Sequence, residues 1–338
     1  MKHPSHWNRS DLHRHLQHAL DLELWTIPLY LTALYSIKGL KKLNHSTYPE
    51  AAKLISSVLV QEMLHMELVC NISNALGFSP RFSLPNYDEQ KGIPFIHPGI
   101  DDLPPDLHGY QVKPQALNKN SLRLFCAIEL PHHKKDIVWE KEKAYSCIGN
   151  MYEALKIGIS TLWDACYVGD ARNKKQKNTF KEYHNTHGKN HGFSQDVYSP
   201  ATAFKAIDAI VEQGEGADSK HVPADFRPHQ PEEGKEFETA WYKANLSHYQ
   251  KFRILLHAHH KLPPVYDEIK GANDFTAQRD LEKMFSHLLT EMEINFNSEG
   301  ADMSVAFWNN MYALGGAITA VWESGMCPDF NFASADQP

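Results

Sequence analysis

The sequence predicts an all-α fold, a bundle of long helices joined by long connections, and three observations carry that expectation. Apolar residues recur at steps of three and four over most of the chain, the period of a helix with one buried face. No segment alternates as a half-buried strand does, and no regular repeat signals a solenoid. Helix boundary residues also fall where the stripes begin and end: Pro49 suits a first turn and Gly77 a position just past the last.

Taken in order, the first helix is expected over about 11–37, on the stripe Leu12, Leu16, Ala19, Glu23, Thr26, Tyr30, Ala33 and Ile37. Pro28 lies inside it, and a helix-interior proline removes a hydrogen bond and crowds the preceding turn, so a kink or bulge is expected beside Glu23. The second helix, about 49–76, carries Ala51, Ile55, Val58, Glu62, His65, Val69, Ile72 and Leu76. From 78 to 120 the chain is rich in Pro, Asn and Asp, which reads as a long connection across one end of the bundle. A short helix over 121–129 follows, then a third long one over about 137–167, a polar loop, and helices over about 199–213 and 237–257. Two amphipathic helices, about 276–296 and 303–323, finish the fold. We expect residues 10–260 to form the bundle with its insertions, and residues 275–326 to be C-terminal helices packed on the same domain.

Composition narrows the function classes. The chain has 338 residues, 42% hydrophobic and 22% charged, which is ordinary globular usage. Its net charge is −7, and no basic cluster interleaves with aromatics, so nucleic acid is not an expected partner. No apolar run reaches the roughly 18 residues of a membrane span, and the start resembles no leader, so the expected address is cytoplasmic. Five cysteines without C-x-x-C spacing read as reduced packing residues.

The chemistry-bearing residues are those that interrupt the stripes. Glu62 and His65 stand three apart where the second helix should be purely apolar, and Glu23 is the one ionisable residue on the stripe of the first. A buried, unpaired carboxylate costs several kcal/mol, and a Glu-x-x-His pair facing into a bundle is half of a di-metal carboxylate site. On the 237–257 helix, Trp241, Asn245, His248, Phe252 and Leu255 share a face, so His248 points inward, with Asn245 at the spacing of Glu62 to His65. Glu153 flanks the stripe of the third long helix. The missing carboxylate is sought in the run IVEQGEG, at Glu212 or Glu215. Carboxylates with imidazoles and no thiolates suit Fe(II), with manganese an alternative at one position, and argue against structural zinc or an iron–sulfur cluster. His184, His187 and His191, in a lysine-rich loop containing Gly188, read as solvated rather than ligating.

The runs DLELWTIPLYLTALYSI, QEMLHMELVCNISNALG, NMYEALKIGI, IVEQGEGA and LSHYQKF resemble the ferritin-like family that includes iminophenyl-pyruvate dimer synthases, over roughly residues 10–260. The resemblance implies a ferritin-like four-helix bundle with Glu23, Glu62, His65, Glu153 and His248 as metal ligands and Glu212 to Glu215 close by. Asn245 departs from it, since Glu is expected there. The function expected is that of an O2-dependent di-iron oxidoreductase acting on a small amino-acid-derived molecule, with a homodimer the assembly entertained. The alternatives are an iron-storage or detoxification protein without an organic substrate and a non-catalytic helical module.

Overall fold

The structure is a computed structural model and describes residues 3–87, 103–131, 145, 147–169, 173–179, 196–215, 246–272 and 274–332. Among the described residues there are eight α-helices and no strand: α1 Arg9–Tyr35, α2 Glu50–Ala75, α3 Lys119–Ile128, α4 Ile148–Cys166, α5 Pro200–Gly214, α6 His248–His257, α7 Thr276–Asn297 and α8 Val305–Glu323. The stripe residues of α1 and α2 are buried along their length, and the two helices pack together extensively. Burial at about 25 cal/mol per Å² of apolar surface is what makes that packing favourable.

Four helices close a ring in which α1 packs on α2, α2 on α5, α5 on α4 and α4 on α1. The short helices α3 and α6 pack on each other, and α6 also leans on α2 and α5. The C-terminal helices α7 and α8 pair, and α8 lies on α1, where the Trp322 indole N–H donates to the Thr32 carbonyl at 3.1 Å. Sequence-local signals set the ends. The Asn8 side chain accepts from the Asp11 N–H at the start of α1. Past α2, Gly77 adopts φ +79°, which a glycine reaches without a Cβ penalty, and the Phe78 N–H closes back on the Ser73 carbonyl at 2.8 Å.

Three boundaries differ from expectation. α1 runs through Pro28 as one α-helix with no π turn, so the expected bulge is absent. The third long helix was expected from residue 137, but Cys147 is extended at φ −157°, and α4 starts at Ile148. The helix carrying His248 was expected from residue 237; instead Ser247 caps it, its hydroxyl accepting from the Gln250 N–H while the Gln250 side chain accepts from the Ser247 N–H. That reciprocal pair is a capping box, written in the sequence as Ser-x-x-Gln. His248 is therefore the first residue of α6. Asn245, His184, His187, His191 and residues 137–144 and 237–244 lie outside the described residues.

Candidate metal centre

Helical periodicity brings Glu23 from α1 and Glu62 with His65 from α2 to the same depth of the ring. They are 4%, 2% and 2% exposed, and His248 at the start of α6 is fully enclosed. Ligand atoms of Glu62, His65 and His248 all lie within 4.8 Å of one another, the spacing expected of groups sharing a cation. Glu23 joins them: its Oε2 is 3.2 Å from His65 Nδ1, and its Oε1 accepts from the Tyr152 hydroxyl of α4 at 2.5 Å. Glu62 Oε2 accepts from the Thr26 hydroxyl at 3.0 Å.

A third carboxylate belongs to Glu129, which caps α3 and is 3% exposed. Its Oε1 accepts from the Tyr30 hydroxyl at 2.6 Å and stands 3.5 Å from His248 Nδ1. The sequence reading passed over it, although the signal was present: Leu122, Phe125 and Glu129 step three and four along the buried face of α3. Glu215 is the fourth acidic group in play. It is buried at the C-terminal end of α5, and its Oε1 accepts the Gly149 N–H at 2.5 Å in the first turn of α4. A Cβ at position 149 would stand 2.6 Å from Glu215 Oε2, so only glycine lets that carboxylate sit there. Leu22, Glu23, Thr26, Glu62, His65, Glu129 and Glu215 share one small cavity with about the room a single water needs.

Glu153 and Glu212 are placed elsewhere. Glu153 is exposed on α4 and pairs with Lys156 at 2.7 Å, and Glu212 points to solvent from α5. The physical reason is register. Glu153 is next to the buried Tyr152 and Ala154 but on the outer side of the helix, and Glu212 shares the exposed face of α5 with Asp208, one turn before it.

The histidines bear on what the cluster could hold. His248 Nε2 is 3.2 Å from Gln61 Oε1, which the Lys251 ammonium also approaches at 2.7 Å. An ammonium only donates, so that oxygen is an acceptor and His248 Nε2 carries the hydrogen. His248 Nδ1 then faces Glu62 Oε1 at 2.8 Å and finds no aligned hydrogen-bond partner. A bare ring nitrogen against an ionised Glu62 is repulsive, so without a cation the contact needs a proton on the carboxyl, and a protonated ring is disfavoured, because burial pushes the His248 pKa below its usual 6.5. Burial, with the nearby Glu129 and Glu23 charges, pushes Glu62 well above its usual 4.5. Both shifts say that the charged forms are costly here without a compensating cation. His65 repeats the arrangement, with Nε2 2.9 Å from Gln213 Oε1 and Nδ1 toward Glu23. Four carboxylates and two imidazoles, each ring aimed by its outer nitrogen, suit a pair of divalent ions.

Buried glutamates and histidines converging from several helices form a candidate carboxylate–histidine metal site, the type built into bundles of this kind. The chain belongs to the ferritin-like family, whose profile matches residues 16–257. Among solved structures it is similar to a ferritin-like protein from Caulobacter vibrioides, with 28% identity, a TM-score of 0.73, and 96% of this chain and 99% of that one covered. That match spans nearly the whole of both chains, so it takes in the C-terminal helices as well as the ring. No curated protein matches. Among the described residues no helix is long and apolar enough to cross a membrane.

Proposed function

We propose that the chain is an O2-dependent non-haem di-iron oxidoreductase acting on a small, amino-acid-derived molecule, with Glu23, Glu62, His65, Glu129, His248 and Glu215 as the metal-holding set. The observation that supports it most is the convergence on one cavity of buried acidic groups whose ring partners leave His248 Nδ1 without a donor. Iron bound there would supply redox chemistry with O2 that amino-acid side chains lack. The protein's own groups do the rest. The Tyr30 and Tyr152 phenols, whose pKa values burial pushes well above the usual 10, stay protonated and donate to Glu129 and Glu23, fixing which carboxylate oxygens remain free to bind. Thr26 does the same for Glu62. The apolar walls formed by Leu22, Ile148, Ile210 and Val211 exclude bulk water and strengthen every interaction inside.

Anaerobic loading with Fe(II), elemental analysis and then O2-uptake measurement test this reading. Two irons per chain and stoichiometric O2 consumption are expected. A well-folded protein that retains no iron would remove it. The storage reading is separated by size-exclusion chromatography under the same loading, since a store requires a cage-sized assembly.

A further inference from the structure

Lys251 is buried in α6, 5% exposed, and carries no carboxylate partner within ion-pairing distance among the described residues. Its ammonium donates to Gln61 Oε1 at 2.7 Å, the same oxygen that faces His248 Nε2 at 3.2 Å. Burial pushes its pKa down to about 8, the mark of a cation held where its charge is expensive. A carboxamide alone would turn either its oxygen or its nitrogen toward the ring, since the two ends are nearly the same size. The lysine removes that choice, because an amide nitrogen pointed at an ammonium would set donor against donor. Among the described residues the second histidine lacks the device: Gln213 is half-buried at the end of α5 and meets His65 Nε2 at 2.9 Å, with no described ammonium on its amide.

We propose that Lys251 is a positioning residue that locks the Gln61 carbonyl onto His248 Nε2–H, so that His248 presents Nδ1 to the carboxylates at all times, whereas His65 does so only in one of two Gln213 orientations. The inference rests on the metal-centre reading and adds an asymmetry to it: the position served by His248 is pre-organised and is the tighter of the two. Loss of an outer partner of a metal-ligating histidine costs on the order of 10–100-fold in metal affinity, and the loss should fall on one position only.

The test compares the full chain with Lys251→Met, which keeps length and apolar bulk while removing the donor. Titration with Co(II), followed by its visible d–d absorption, should resolve two equivalents in the unsubstituted protein. In Lys251→Met the tighter equivalent should weaken by roughly tenfold or more, with the weaker one unchanged. Nitrogen-15 histidine spectra of the Zn(II)-loaded protein read the rings directly. His248 should show a protonated Nε2 and a metal-bound Nδ1 in the unsubstituted protein, with Nε2–H broadened or lost in the variant and His65 unaffected. Equal weakening of both equivalents, no weakening of either, or Nε2 as the ligating atom of His248 in the unsubstituted protein would each overturn the proposal. The spectrum of the unsubstituted protein decides the ring orientation even if the variant folds poorly. A protein that binds no Co(II) at all would instead refute the metal-centre reading, which the failures above leave standing.

Discussion

Glu62→Gln separates a metal ligand from a structural ion pair, because the two roles give stability changes of opposite sign. In the metal-free protein Glu62 is enclosed beside Glu23 and Glu129 and its carboxyl is held well above 4.5. At pH 7 the unfolded chain ionises this group and the native state resists doing so. The penalty is bounded by the roughly 2.5 pH units between 7 and the ordinary value, about 3.4 kcal/mol at 1.36 kcal/mol per unit. Glutamine lifts that penalty and still fits its neighbours: its oxygen keeps the Thr26 hydroxyl, and its NH2 meets the unsatisfied His248 Nδ1. The metal-free variant should therefore melt up to about 5 °C higher than the unsubstituted protein at pH 7. Divalent metal at 100 times its Kd should add about 2.7 kcal/mol to the unsubstituted protein and far less to the variant. Calorimetric or optical melting with and without Fe(II) or Co(II) under nitrogen reads both effects. If Glu62 and His248 were a structural ion pair, the substitution would leave a buried imidazolium unpaired and cost about 3–5 kcal/mol. A variant destabilised to that extent without metal would refute the reasoning.

Metal-free stability should also fall as pH rises from 6.5 to 7.5. The raised Glu62 pKa means that the native state binds more protons than the unfolded chain, so stability is lost as pH climbs toward that value, by at most about 1.4 kcal/mol per unit. His248, with His13 and His18, is depressed below 6.5 and acts in the opposite direction, and Lys251, pushed down to about 8, joins them at the upper end of the window, so the Glu62 contribution is read as the difference between the unsubstituted protein and Glu62→Gln. Denaturant melts at several pH values check the slope, which should turn less negative in Glu62→Gln. Glu153→Ala with Glu212→Ala should leave metal stoichiometry unchanged and cost under about 1 kcal/mol, since both groups face solvent and Lys156 keeps Asp208 as a partner; lost metal in elemental analysis would contradict their placement. Gly149→Ala should destabilise by about 1–3 kcal/mol in thermal melts, because its Cβ would displace the Glu215 carboxylate from the Gly149 N–H. An unchanged melt would mean that Glu215 does not sit there.

How much of the site was legible follows from how each residue sits on its helix. Glu23, Glu62 and His65 interrupt long, clean apolar stripes, and a charge on a buried stripe is visible from spacing alone. His248 was legible as an inward residue, but the helix drawn around it was too long, because the Ser247 to Gln250 capping box went unread. Glu153 and Glu212 show the limit of proximity in sequence: one residue off the stripe is a rotation of about 100°, enough to turn a ligand candidate into a solvated side chain. Glu129 could have been found by stepping along α3, whose brevity made a single terminal carboxylate look like an ordinary end.

By itself the sequence determined the helical class, the long first and second helices and the buried acid and imidazole on their faces, since periodicity and boundary residues are local properties of the chain. Only the tertiary structure decided which carboxylates complete the cluster. Periodicity says at most that Glu129 faces inward and Glu215 stands at the end of α5; both are brought to the cavity by the packing of helices far apart in sequence. The same holds for the ring orientation of His248, which depends on Gln61 from α2 and Lys251 from α6 meeting across the bundle, a contact that no local pattern encodes.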